Sequence, residues 1–227
     1  MQSEHPGSRD TYNTIAQWIH PEFPYSSRDK WDRYGFIGMF AYYVLSCTPG
    51  DVLEIGVGES SIYLTQAIKN HNRRIWHCDI SPSKIVNPMT IPGYLSDNPT
   101  YLEERDPDPA QLNRCVCYAG SSDSLFQRFE IKEIAVSFID GDHRYEQAKK
   151  DFDNVFQRTV ENGYILLHDT YPPDYDWIDE NHCGDVYKLR QEIEARKDVD
   201  CLTLTRGTAI GVGLTIIRKR PKGYMFQ

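Results

Sequence analysis

The stretch Phe138 to Tyr145, FIDGDHRY, runs an apolar segment into two aspartates, a glycine and a histidine. Carboxylates and an imidazole this close together can hold a divalent cation or move protons, since carboxylates supply hard oxygen donors and histidine titrates near neutrality. Turn chemistry accounts for the same residues. Asp and Gly suit a tight turn, and Asp142 can cap a helix that begins near Arg144. On the first reading His143 is a general base or a ligand and Tyr145 touches substrate. On the second His143 bonds to backbone and Tyr145 packs.

A second group of residues points to a bound cofactor. In LEIGVGESS, Gly56 and Gly58 allow close approach of backbone to a ligand, and the helix that follows, opening at Ser60 and Ser61, presents its N-terminus. The same pattern also makes an ordinary strand-to-helix turn. Glu54 adds weight, because an ionisable group inside a strand costs free energy unless satisfied, and a cationic ligand would satisfy it. Asp79 lies 21 residues after Gly58, where a carboxylate can accept both hydroxyls of a ribose, in NAD or S-adenosylmethionine alike. AGSSDS, from Ala119 to Ser124, suits an adenine edge through Ser121, Ser122 and Asp123, or a helix N-cap by either of the two serines.

The elements that must position these residues follow from apolar periodicity. Helical spacing from Thr11 to Cys47 predicts two N-terminal helices broken by HPEFPYSS. After Pro49-Gly50, DVLEIG reads as a strand and Glu59–His71 as a helix. RIWHCDIS, CVCYAGSS, IAVSFID and NGYILLHD read as four more strands, with a helix from Tyr145 through Phe156 before the last. Alternating strands and helices predict a doubly wound α/β fold with a parallel sheet. CLTLT and VGLTIIR are joined by RGTAIG, too short for a crossover, and so predict an antiparallel hairpin. Two segments, 81–114 and 171–184, read as long loops, the second acidic and aromatic enough to serve as a substrate lid.

With these motifs in place the chain resembles the class I S-adenosylmethionine-dependent methyltransferases, through ExGxGxS at Glu54–Ser60, Asp79, AGSS and the terminal hairpin. IDGDHxYxxAxxDF with GYILLHDT is similar to the catechol- and caffeoyl-type and macrocin/sugar O-methyltransferases. The resemblance implies a Rossmann-like seven-stranded sheet ordered 3-2-1-4-5-7-6 with the last strand antiparallel. It further implies a divalent cation, Mg2+ or Mn2+, held by Asp140 and Asp169, with Asp140 also bordering the cofactor. The third ligand would be His168 or Thr170, neither of which is the residue those groups carry. The expected reaction is O-methylation of a small-molecule hydroxyl on a sugar or phenol. A metal-free methyltransferase with a His143 or His168 base, an NAD-dependent dehydrogenase, and a cofactor-binding protein without turnover remain open at this level. Glu54, Ser61 and the terminal hairpin stand against the dehydrogenase.

Composition bounds the rest. One domain spanning 1–227 is expected, with a helical cover over 1–48 and the Rossmann-like core over 49–219. The 33 acidic and 25 basic residues leave a net charge of -8, which argues against nucleic acid or an anionic membrane as partner. No apolar run reaches the ~18 residues of a membrane span, and no leader pattern opens the sequence, so a cytoplasmic protein is expected. The six cysteines are spread thinly and read as reduced, with Cys115 and Cys117 as core residues. The aromatic N-terminal helices cover substrate, pack on the sheet, or form a homodimer surface.

Overall fold

The structure is a computed structural model that describes residues 34–85, 99–104, 106, 112–179, 181–205 and 212–223. The first expected N-terminal helix lies outside the described residues. The second is α1, Gly35–Cys47. Then come β1 (Asp51–Ile55), α2 (Ser60–Ala67), β2 (Ile75–Asp79), the single turn α3 (Pro82–Ile85) and β3 (Thr100–Glu103). These are followed by β4 (Cys115–Ala119), α4 (Ser122–Arg128), β5 (Ile134–Ile139), α5 (Tyr145–Arg158) and β6 (Thr159–His168). A 3-10 turn (Tyr175–Trp177), α6 (Val186–Glu194), β7 (Val199–Leu204) and β8 (Leu214–Lys219) complete the described fold.

Among the described residues these strands form one sheet of eight, ordered β3-β4-β2-β1-β5-β6-β8-β7. β8 alone runs opposite to the other strands, antiparallel to both β6 and β7. Seven of the eight strands follow the expected order. The correction is β3, an added parallel edge strand paired to β4 within the segment read as loop. Its sequence hid it, because only Leu102 of Thr100–Glu103 is buried and an edge strand with one inward residue has no apolar run to see. α2 also stops at Ala67 rather than His71.

Strand alternation sends successive side chains to opposite faces, and each face has its own core. Leu53, Trp76, Tyr118 and Ile139 meet Phe126, Phe152 and Leu189 on one side. Val52, Ile75, Cys117 and Phe138 meet Ile37, Ala41 and Leu64 on the other. Cys115 and Cys117 are core residues, and all six cysteines are free thiols.

Glu54 and His77 lie side by side in the β1–β2 register, both with no solvent exposure. His77 Nδ1 donates to Glu54 Oε2 at 2.5 Å, and Ser60 and Ser61 donate to the same carboxylate, Ser61 at 2.6 Å. Thr65 Oγ1 donates to Ser61 O at 2.7 Å, so its 3.0 Å contact with His77 Nε2 must be one in which the imidazole donates. Both ring nitrogens are therefore donors, and His77 is an imidazolium paired to Glu54. Burial works against that charge, but hydrogen bonding to Cys115 and to Glu54 outweighs it and lifts the pKa from 6.5 to about 10. Because the folded pKa lies above the unfolded one, the pair's contribution is complete below pH 6.5 and is lost as pH rises toward 10. His77→Phe strands a buried carboxylate and should cost about 3–5 kcal/mol at pH 6. Urea unfolding should show the gap between parent and variant narrowing as pH is raised from 6.5 to 10; a gap independent of pH would contradict the ion pair.

Candidate active site

A cavity of about 560 Å3 opens beyond the carboxyl ends of the parallel strands, where open α/β sheets bind ligands. β4 contributes Gly120 and the following Ser121 and Ser122, β2 contributes Asp79 and the exposed Ile80, β1 contributes Ile55 and Gly56, and β5 contributes Asp140 to Arg144. Lys84, Gln147 and Asp151 close the wall. The volume falls in the usual range for small-molecule sites.

The expected cofactor residues divide into two sets. Asp79, Ser121, Ser122, Asp140 and Gly56 line the cavity. Glu54, Ser60, Ser61 and Gly58 are not among its lining residues, and the Glu54 carboxylate accepts hydrogen bonds from Ser60, Ser61 and His77. The backbone of the turn is equally committed: Gly56 N donates to Cys78 O, Val57 N to Asp79 Oδ2 and Gly58 N to Ser61 Oγ. Gly56 is required for another reason. Its φ is +88°, and a Cβ there would sit 1.9 Å from Asp140 O, so only glycine lets the ends of β1 and β5 cross. Asp79 accepts from Val57 N at 2.9 Å, Ser81 N at 2.8 Å and Lys84 Nζ at 3.3 Å, which fixes it at the rim. Ser121 is the N-cap of α4, accepting from Ser124 N.

At the β5–β6 side, ligand atoms of Asp140, His143 and Asp169 all lie within 4.8 Å of one another. His143 Nε2 is 2.9 Å from Asp169 Oδ2 and 3.8 Å from Asp140 Oδ1. His168 adds its Nδ1 at 3.0 Å from Asp140 and 3.3 Å from Asp169. Hydrogen bonds that His143 donates to the Asp140 and Asp169 carboxylates raise it to about 10. Burial opposes the His168 imidazolium, yet the Asp140 and Asp169 carboxylates still lift it to about 10. Burial likewise opposes the two carboxylates, and the paired imidazoles nonetheless hold Asp140 and Asp169 below the usual range. Two ionised carboxylates and two protonated imidazoles leave the cluster balanced in charge. Asp169 reaches it from a left-handed backbone, φ +57°, a conformation uncommon outside glycine and kept where surroundings enforce it.

Thr170 does not join the cluster. Its hydroxyl accepts from Thr215 Oγ1 at 2.9 Å and is fully buried against β8. Asp142 does not cap α5 either; it pairs with Arg144 and accepts the Arg144 N–H at 2.9 Å. The cap comes from Asp185, whose Oδ1 accepts from Tyr145 N at 2.5 Å, while Asp185 N donates to His143 O at 3.1 Å. Gly184, φ +53°, packs so closely that a Cβ would lie 2.1 Å from His143 O. The 171–184 loop is thus tethered at one end by Asp169 and at the other by His143. Tyr175, Trp177 and Tyr171 on it are exposed, and Tyr145 Oη donates to Glu192 Oε1 at 2.5 Å on α6.

Asp151, which stands in IDGDHxYxxAxxDF without a role, and His77 are the residues to which the motifs assign nothing. Each had a legible signal: Asp151 shares the buried face of α5 with Ala148, Phe152 and Val155, and His77 shares one buried strand face with Ile75. A polar group in an apolar pattern marks a buried partner.

Residues 53–170 match the family model of a methyltransferase domain. None of the curated proteins matches the sequence. Among solved structures, an O-methyltransferase from Bacillus cereus in complex with SAH is similar at a TM-score of 0.61 and 14% identity, covering 95% of this chain and 93% of that one. A SAH-bound methyltransferase from Podospora anserina gives 0.57 and 17%, covering 97% and 100%. An rRNA methylase from Streptococcus thermophilus gives 0.51 and 11%, covering 85% and 99%.

Removing the foreign cap on α5 should be measurable. Asp185→Ala is expected to cost about 0.5–2 kcal/mol, the usual range for loss of an N-cap acceptor. Hydrogen exchange at Tyr145 N–H should rise with it; unchanged protection there would mean another group caps the helix.

Proposed function

The chain belongs to the methyltransferase domain family and is an S-adenosylmethionine-dependent methyltransferase, and on that premise we propose O-methylation of a small-molecule hydroxyl with a divalent cation at Asp140, His143 and Asp169. The observation that carries the proposal is the convergence of those three side chains beside the cavity, with Asp140 belonging to both. The cofactor supplies an electrophilic methyl group, and the cation would acidify and orient the acceptor hydroxyl.

The residues fit both groups. Asp79, at the end of β2, offers a carboxylate to ribose hydroxyls, and the exposed Ile80 beside it offers apolar surface to a base. Two carboxylates with adjacent imidazoles form an O/N donor set suited to Mn2+ and similar ions as well as to Mg2+. His168 orients the carboxylates, and Thr170, bonded to Thr215, has no part in holding the ion. Asp140 and Asp169 would position the acceptor oxygen next to the cavity. With a cation there, His143 would give up the proton that these carboxylates stabilise, freeing its imidazole to ligate; without one, His143 must lose that proton before it can act as base.

The tethered loop is the acceptor's other wall. Its exposed Tyr175 and Trp177 suit a sugar face or a planar phenol, and Asp174, Asp176 and Asp179 disfavour an anionic acceptor. The net charge of -8 adds to the case against nucleic acid as substrate. Among the described residues no helix is long and apolar enough to cross a membrane.

Calorimetry on chelator-treated protein separates the two halves of the site. Asp140→Ala and Asp169→Ala should abolish the heat of Mn2+ or Mg2+ binding and lower turnover roughly a hundredfold or more, in line with the 10²–10⁴-fold span of positioned proton transfer. Affinity for S-adenosylhomocysteine should stay largely intact in Asp169→Ala, and should fall in Asp140→Ala because Asp140 also lines the cavity. Asp79→Ala should do the reverse, weakening S-adenosylhomocysteine about tenfold or more with cation binding unchanged. Turnover that survives chelation would favour His143 as a metal-free base.

A further inference from the structure

The wall of the cavity on the β4 side holds a carboxylate that neither the cation site nor ribose binding uses. Asp151 projects from α5 and is 2% exposed. Ser122 Oγ donates to its Oδ1, and Gln147 Nε2 donates to the same oxygen at 2.9 Å. Among the described residues the other oxygen, Oδ2, receives no hydrogen bond, although Asp151 lines the cavity. A buried carboxylate with one oxygen satisfied twice and the other facing a cavity without a donor needs a donor from whatever fills that cavity. Burial pushes the Asp151 carboxyl up to about 6, against the Ser122 and Gln147 hydrogen bonds, which reflects the same shortage.

Sheet order fixes which part of a ligand lies there. From the edge inward, the cavity-lining ends run Ser121 and Ser122 after β4, Asp79 on β2, Gly56 after β1 and Asp140 after β5. The reacting centre lies at the Asp140 end, and the ribose, read by Asp79, lies between. The base therefore occupies the β4 end, against Ser122 and Asp151. Of the atoms on an adenine edge only the exocyclic amino group donates, and a carboxylate accepts it.

We propose that Asp151 is the specificity-determining residue for the cofactor's base, accepting a hydrogen bond from the exocyclic amino group of adenine through Oδ2. This rests on the S-adenosyl reading of the cavity. It explains why an acidic residue stands on the apolar face of α5, where Ser122 and Gln147 orient it but leave its cavity-facing oxygen open.

A base carrying a carbonyl in place of the amino group sets the test. Titration of the full-length protein with S-adenosylhomocysteine and with S-inosylhomocysteine should show the adenosyl compound bound about ten- to a hundredfold more tightly, the span of a hydrogen bond to a charged group. Asp151→Asn keeps the shape and offers an amide N–H to the carbonyl, so the ratio should fall to near one. A merely structural role would weaken both compounds alike and leave the ratio unchanged in Asp151→Asn, which would overturn the proposal. The parent protein decides independently of the variant's folding: equal binding of both compounds rejects Asp151 as a base reader. Binding of neither compound would reject the S-adenosyl reading itself, and this inference with it.

Discussion

A carboxylate with no route to solvent, Glu54 in the middle of β1, is the constraint on which the binding side of the sheet is built. Isolated in a protein interior it would cost several kcal/mol, so the fold must bring it donors. One is supplied by His77, placed opposite it by the β1–β2 register. Two more come from Ser60 and Ser61, which can reach it only if the chain turns tightly after Ile55 and starts α2 at once. Satisfying one buried charge thereby fixes a strand register, a turn and a helix start together.

That turn then determines what the cavity can contact. Its N–H groups are already bonded within the protein, so a ligand meets side chains and the crease at Gly56 rather than a ring of free amides. The crossing of Gly56 over Asp140 locks the ends of β1 and β5, and the cofactor wall and the Asp140 cluster become one rigid edge. Asp140 stands at that crossing, so it both lines the cavity and belongs to the cluster with His143 and Asp169.

On the far side the same economy of contacts repeats. Asp185 caps α5 from a distant segment, and its own N–H holds His143 in place by the backbone. The segment that carries the exposed aromatics consequently follows directly on Asp169 and closes against His143.

Much of this was readable in the linear chain. Alternating apolar runs gave the doubly wound sheet, the short RGTAIG connection gave the hairpin, and IDGDH with HDT put Asp140, His143, His168 and Asp169 at strand ends, because period and turn chemistry are local properties. The strand β3 was hidden, since one inward leucine makes no pattern. Partner choice was hidden as well. Whether Glu54 faced a ligand or His77, whether Thr170 faced the cluster or Thr215, and whether α5 was capped by Asp142 or Asp185 all depend on which strand and loop become neighbours. Local sequence sets which groups need a partner; only tertiary packing, through register and crossing, decides which partner each one receives.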